Sequence, residues 1–195
     1  MNKQNKEISK TKTIVMLLRG INVGGRHKIS MPELVKLLTT LDINNIQSYI
    51  QSGNLIANTS KSLPPLSEEI TTIIQKQYGF SPTVCVYHAD KFKEILSNSP
   101  FSNDEYNQKN SHIFFFHSKC NPTDPLQTNL KSLKSDSEKL ELTPHAAYLY
   151  APDGIGRSKL VSNLETQLNI PITGRNLRTV RTIMSIVEDN NKHFK

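Results

Sequence analysis

At 195 residues, 36% of them apolar and 21% charged, the chain has the bulk for one large domain or two small ones, each with a core. A mean hydropathy of −0.45, with no apolar run near the ~20 residues of a membrane span, excludes a helical membrane protein. A net charge of +7 favours phosphate-bearing partners through long-range attraction.

The opening stretch, residues 1–12, carries Lys3, Lys6, Lys10 and Lys12 against Glu7 and reads as a disordered basic tail without a secretory signal. The apolar run "TIVMLL" (13–18) predicts a strand. A glycine-rich loop follows, then a helix from about residue 31, where Ser30 and Glu33 have capping-box spacing and Pro32 fits the first turn. Met31, Leu34, Leu37, Leu38 and Leu41 give that helix one apolar face. "IQSYIQ" and "NLIAN" read as strands joined at Ser52-Gly53. A second helix is expected after the breaker Pro64-Pro65, with Leu66, Ile70, Ile73, Ile74 and Tyr78 on one side and Gly79 as its stop. "TVCVYH" closes a β-α-β-β-α-β order over 13–88, the split βαβ or ferredoxin-like arrangement, also called an α/β plait.

Residues 89–111 read as a linking helix, "ADKFKEILSNS", and a polar boundary loop. A second unit over 112–190 nearly repeats the first: strand "HIFFFH", a helix near 125–133, strands "EKLELT" and "AAYLYA", a helix from about 157, and a C-terminal helix at about 176–189. The expected fold is therefore α+β, two tandem ferredoxin-like units with antiparallel sheets. Cys85 and Cys120 have neither metal-ligand spacing nor a nearby partner, and this cysteine usage points to a reduced, cytoplasmic protein.

Three basic stretches stand out. In "LLRGINVGGRHKIS" (17–30), Gly20 and Gly25 have P-loop spacing, but Arg26 and His27 replace the required Lys and Ser/Thr, and the helix starts too late. What remains is Gly24-Gly25, free to take left-handed angles and expose amides, with Arg19, Arg26 and Lys28 nearby. In "PDGIGRSKL" (152–160), Arg157, Ser158 and Lys159 open a helix, where cations oppose the dipole unless an anion completes the site. In "TGRNLRTVRT" (173–182), Asn176 is a plausible cap, and Arg175, Arg178 and Arg181 crowd the opening turns of the last helix.

Catalytic constellations are unpersuasive. His112 and His117 would face opposite sides of a strand, and His88 and His145 lack nearby acids or cysteines. Ser52 lacks the context of a nucleophile elbow. Neither a metal site nor a cofactor is expected. Tyr49 would stack a base or sugar if its strand face were open, although the RNP signature is absent.

Read together, "MLLRGINVGG", "MPELVKLL", "YIQSGN" and "DGIGRSKL" closely resemble the bacterial family known as domain of unknown function 1697, over about residues 13–188. The resemblance implies a pair of ferredoxin-like units and no established activity. It also implies an Arg-Asn-Trp-x-Thr element near the end, which here reads Arg175-Asn176-Leu177-Arg178-Thr179.

The favoured functional reading is an anion site lined by Gly24, Gly25, Arg157, Ser158, Lys159, Arg175 and Asn176, with Arg19, Asn22 and Tyr49 at its rim. Its ligand would be a phosphate-bearing small molecule or a nucleic-acid backbone. The alternatives are an enzyme acting on a phosphate ester, and a protein-protein interaction module with no small ligand. Fold alone does not choose among them.

Overall fold

The run from Ile14 to Leu18 is apolar at every position because both faces of its strand are covered. In the computed structural model, which describes residues 11–103 and 105–193, β1 (Lys12–Leu18) sends Ile14, Met16 and Leu18 to one side and Val15 and Leu17 to the other. The first unit continues with α1 (Met31–Leu38), β2 (Asn44–Tyr49), β3 (Asn54–Thr59), α2 (Leu63–Tyr78) and β4 (Val84–His88). Its antiparallel sheet has the order β2-β3-β1-β4. After α3 (Ala89–Ser97) the second unit runs β5 (Ser111–Phe116), α4 (Asp124–Leu133), β6 (Lys139–Leu142), β7 (Ala146–Tyr150), α5 (Lys159–Leu168) and β8 (Ile172–Asn176), and α6 (Leu177–His193) follows. The second sheet has the matching order β6-β7-β5-β8, so both units are the expected plait.

Three apolar clusters hold these layers. α1 and α2 pack Leu34, Leu38, Leu66, Ile70 and Ile74 on the outer face of the first sheet. α4 and α5 pack Leu130, Leu160 and Leu164 on the outer face of the second, against Phe114, Phe116 and Leu149. The third cluster lies between the sheets: Val15, Leu17, Ile56 and Tyr87 from one, Ile113, Phe115 and Tyr148 from the other, with Phe92 and Ile95 of α3 and Leu177, Val180 and Ile183 of α6. Each such fully buried side chain stabilises by ~1.5–3 kcal/mol relative to exposure. The inner faces, left open in many single plaits, are thus covered by each other and by two helices. Hydroxyls stitch the halves as well: Tyr87 donates to the Phe116 carbonyl, and Tyr148 to that of Ile95 at 2.9 Å.

Several local expectations change. The tail falls largely outside the described residues, and Lys12 already belongs to β1. The capping box at Ser30 does not form, since the Ser30 side chain makes no cap bond. Pro32 at the second helical position lacks an N–H, so half the donors such a cap uses are missing. Pro64 and Pro65 are not a breaker before α2 but lie within its first turn, where a missing N–H costs nothing. Arg157 belongs to a short 3-10 turn, Ile155–Arg157, and α5 begins at Lys159. Sequence reading also missed β8. Arg175 therefore sits on an edge strand rather than in a helical turn.

Candidate functional site

The glycine-rich loop is organised by Asn22, whose carboxamide is used on both sides. Its Nδ2 donates to the Ile29 carbonyl at 3.0 Å and the Gln51 carbonyl at 2.8 Å, and its Oδ1 accepts from the Ile29 N–H at 2.8 Å. A tight turn closes through Arg26 N–H to Val23 O at 3.0 Å, which explains the left-handed Gly24 (φ +57) and Gly25 (φ +76). His27 points back, with Nδ1 at 2.9 Å from the Gly20 carbonyl and its ring stacked 4.1 Å from that of Phe80. Arg19 is ion-paired with Glu165 of α5, so it ties the first unit to the second. Gly24 and Gly25 remain exposed at the tip.

Arg175 reaches in the same direction from β8. Its Nε donates to Asn54 Oδ1, Nη1 to Thr173 Oγ1 at 2.9 Å and Gly174 O at 2.8 Å, and Nη2 to Leu18 O at 2.8 Å and Ser52 O at 2.9 Å. A guanidinium has five N–H groups, and all five are engaged by neutral oxygens of the protein. Burial lowers its pKa to about 10, opposed by Cys85, and it stays cationic at neutral pH. Burial in turn pushes the Cys85 thiol up to about 12 despite the pull of Arg175 and Arg19, so that thiol is neutral. Asn176 caps α6, its Oδ1 accepting from the Thr179 N–H at 2.8 Å. Leu177, at the position where the resemblance implies tryptophan, is fully buried between the sheets, which makes it a packing position. Tyr49 is half-buried against that same core rather than on an open face. Arg181 donates to the Ser102 carbonyl, and Arg178 faces solvent.

Arg157, Ser158 and Lys159 lie elsewhere, along a cleft of about 570 Å³ in the second unit. One wall is the end of α4 and the turn after it, with Ser132, Lys134, Ser135, Ser137 and Glu138; the other runs from Ala151 to Lys159. Ser158 caps α5, its Oγ accepting from the Val161 N–H at 3.1 Å, which leaves the hydroxyl proton free to donate. No acidic residue occupies the first turn of that helix. Both carboxylates of the cleft are engaged: Glu138 accepts the Ser135 N–H of its own wall at 2.9 Å, and Asp153 accepts the Ser137 hydroxyl from the opposite wall at 2.8 Å.

The ten predicted site residues thus do not gather in one place. Arg19, Asn22 and Arg175 tie loops and units together, and Asn176 caps α6. Gly24 and Gly25 stand at a loop tip, Tyr49 packs on the inner core, and only Arg157, Ser158 and Lys159 line the cleft. Its opposite wall was not anticipated; the signal was the polar "KSDSE" (134–138) between a helix and a strand. Among the described residues, no three His, Cys, Asp or Glu side chains converge to hold a metal ion, and no helix is long and apolar enough to cross a membrane.

These features define a tandem-plait α+β protein whose two sheets face each other. The chain belongs to the family described as "Protein of unknown function (DUF1697)", which matches residues 11–148. That match ends before "DGIGRSKL" and Arg175, short of the expected reach to about 188. The fold extends further. A solved structure, described as that of the conserved bacterial protein SP0830 from Streptococcus pneumoniae, is similar at 25% identity with a TM-score of 0.71, over 90% of this chain and 98% of that one. No curated protein matches.

Proposed function

We propose that this protein binds a small phosphate-bearing ligand in the cleft between residues 132–138 and 151–159. The observation that carries the reading is the convergence of Lys134, Arg157 and Lys159 with the Ser158 hydroxyl at the start of α5, a helix without an acid in its first turn. Helix starts present unpaired N–H groups and a partial positive charge, so an anion placed there satisfies amides and side-chain cations together. Cleft volume agrees with a small ligand, since such sites run ~300–1,000 Å³. No aromatic ring is among the described lining residues, which favours a phosphate with a polar body over a stacked base. Arg175 and Asn176 are not part of this reading, because their polar groups already serve the protein.

The test is a thermal-shift series with inorganic phosphate, sugar phosphates, nucleotides and short oligonucleotides. A true ligand at a hundredfold excess over its Kd adds ~2.7 kcal/mol. For a chain of this size that raises Tm by roughly 5–11 °C. The double variant Arg157→Glu/Lys159→Glu abolishes the shift. No shift with any compound, or a shift that survives the double variant, removes the proposal. Binding confined to oligonucleotides and falling steeply with salt would replace a small molecule with a nucleic-acid backbone.

A further inference from the structure

Outside the cleft, the large apolar side chains that stand exposed among the described residues are Val23 at 63% and Ile50 at 51%. They do not belong to scattered positions. Asn22, next to Val23, donates to the carbonyl of Gln51, next to Ile50, at 2.8 Å, so each side chain is one residue from a bond joining the two loops. Ile50 has φ +51, a left-handed backbone that a β-branched residue enters only under constraint. The constraint is visible. The Tyr49 carbonyl accepts from Asn54 Nδ2 at 3.1 Å, that of Ser52 from Arg175, and that of Gly53 from the Leu18 N–H at 2.8 Å. A rigid, strained turn thus displays an isoleucine to water, where a glycine would relieve the backbone and a polar residue would suit the solvent.

Beyond Val23 lie Arg26 and Lys28, both exposed, and neither is ion-paired among the described residues. We propose that Ile50 and Val23, flanked by Arg26 and Lys28, form a docking point for an acidic, apolar segment of another protein. An apolar anchor on an already fixed turn loses little conformational freedom on binding. The two unpaired cations select the sign of the partner. Two aliphatic knobs give a nucleic acid neither a hydrogen bond nor a ring to stack on, and two such side chains make a poor membrane anchor. The site is independent of the phosphate cleft, and either can fail alone.

The experiment is a selection of random displayed peptides on the full chain, subtracted against Val23→Ser/Ile50→Ser. Recovered peptides are expected to combine aliphatic and acidic residues. Their affinity should fall at least tenfold on Ile50→Gly, and Arg26→Glu/Lys28→Glu should abolish the acidic preference. Ile50→Gly is also expected to melt higher by ~2–4 °C, which separates lost binding from lost folding. The proposal is overturned if no peptide distinguishes the parent from the subtracted variant, if acids are not enriched, or if Ile50→Gly melts lower. A dimer in sedimentation that Ile50→Gly returns to monomer would assign the surface to a second copy of the chain. Pelleting with phosphatidylserine vesicles, lost in Ile50→Gly, would assign it to a membrane; either result also overturns the proposal.

Discussion

Gly53 and Gly24 share a left-handed backbone, with φ +76 and +57, yet their surroundings differ. A Cβ on Gly53 would stand 2.8 Å from Leu18 Cβ and 2.9 Å from Ile21 Cδ1, whereas one on Gly24 would meet nothing within 4 Å. Both alanine variants strain the backbone, but only Gly53→Ala also forces two buried side chains to move. We expect Gly53→Ala to lose about 2–4 kcal/mol and Gly24→Ala about 1 kcal/mol in urea unfolding. Equal losses would show that the turn is not packed against β1 as described. From the sequence, "QSGN" was legible as a turn, because glycine after serine between two apolar runs is a local signal. That Leu18 lies over the glycine was not legible, because the contact joins residues 35 positions apart (53 − 18).

Helix starts make the same point one level up. Ser30 and Ser158 both precede helices, and by spacing Ser30 has the better credentials, with Glu33 three residues on. In the fold only Ser158 caps, through the Val161 N–H. Ser158→Ala should therefore cost about 0.5–2 kcal/mol, while Ser30→Ala should stay within about 0.5 kcal/mol, both read from urea midpoints. A reversed order would contradict the cap assignment. Strong periodicity made most helices and strands readable. β8 escaped because "ITGRN" has a glycine and three polar residues, and it becomes a strand only by pairing with β5. The ring of Phe114 fills the place a Cβ on Gly174 would take, at 2.8 Å, so the glycine serves a close approach rather than a loop. Missing that strand also placed Arg175 in a helical turn, and from there its basic neighbours looked like an anion site.

At the scale of the whole molecule Arg175 is the clearest fixed point, a cation of the second unit held by Asn54, Leu18 and Ser52 of the first. Arg175→Met would leave these oxygens unmatched, and Asn54 is fully buried. We expect a loss of about 3–5 kcal/mol, measured by denaturant titration, with little recovered by lysine, which lacks the planar fork. A loss below about 1 kcal/mol would mean that the guanidinium does not hold the units together. The paired sheets have a bearing on synthesis too. Val15 and Leu17 share their cluster with Val187, near the far end of the chain. On the ribosome the first plait can close its outer layer early, but its inner surface, covered at first by α3 alone, is completed only when the second sheet and α6 emerge. The nascent chain must therefore carry part of that apolar surface unshielded while the second sheet is still being made.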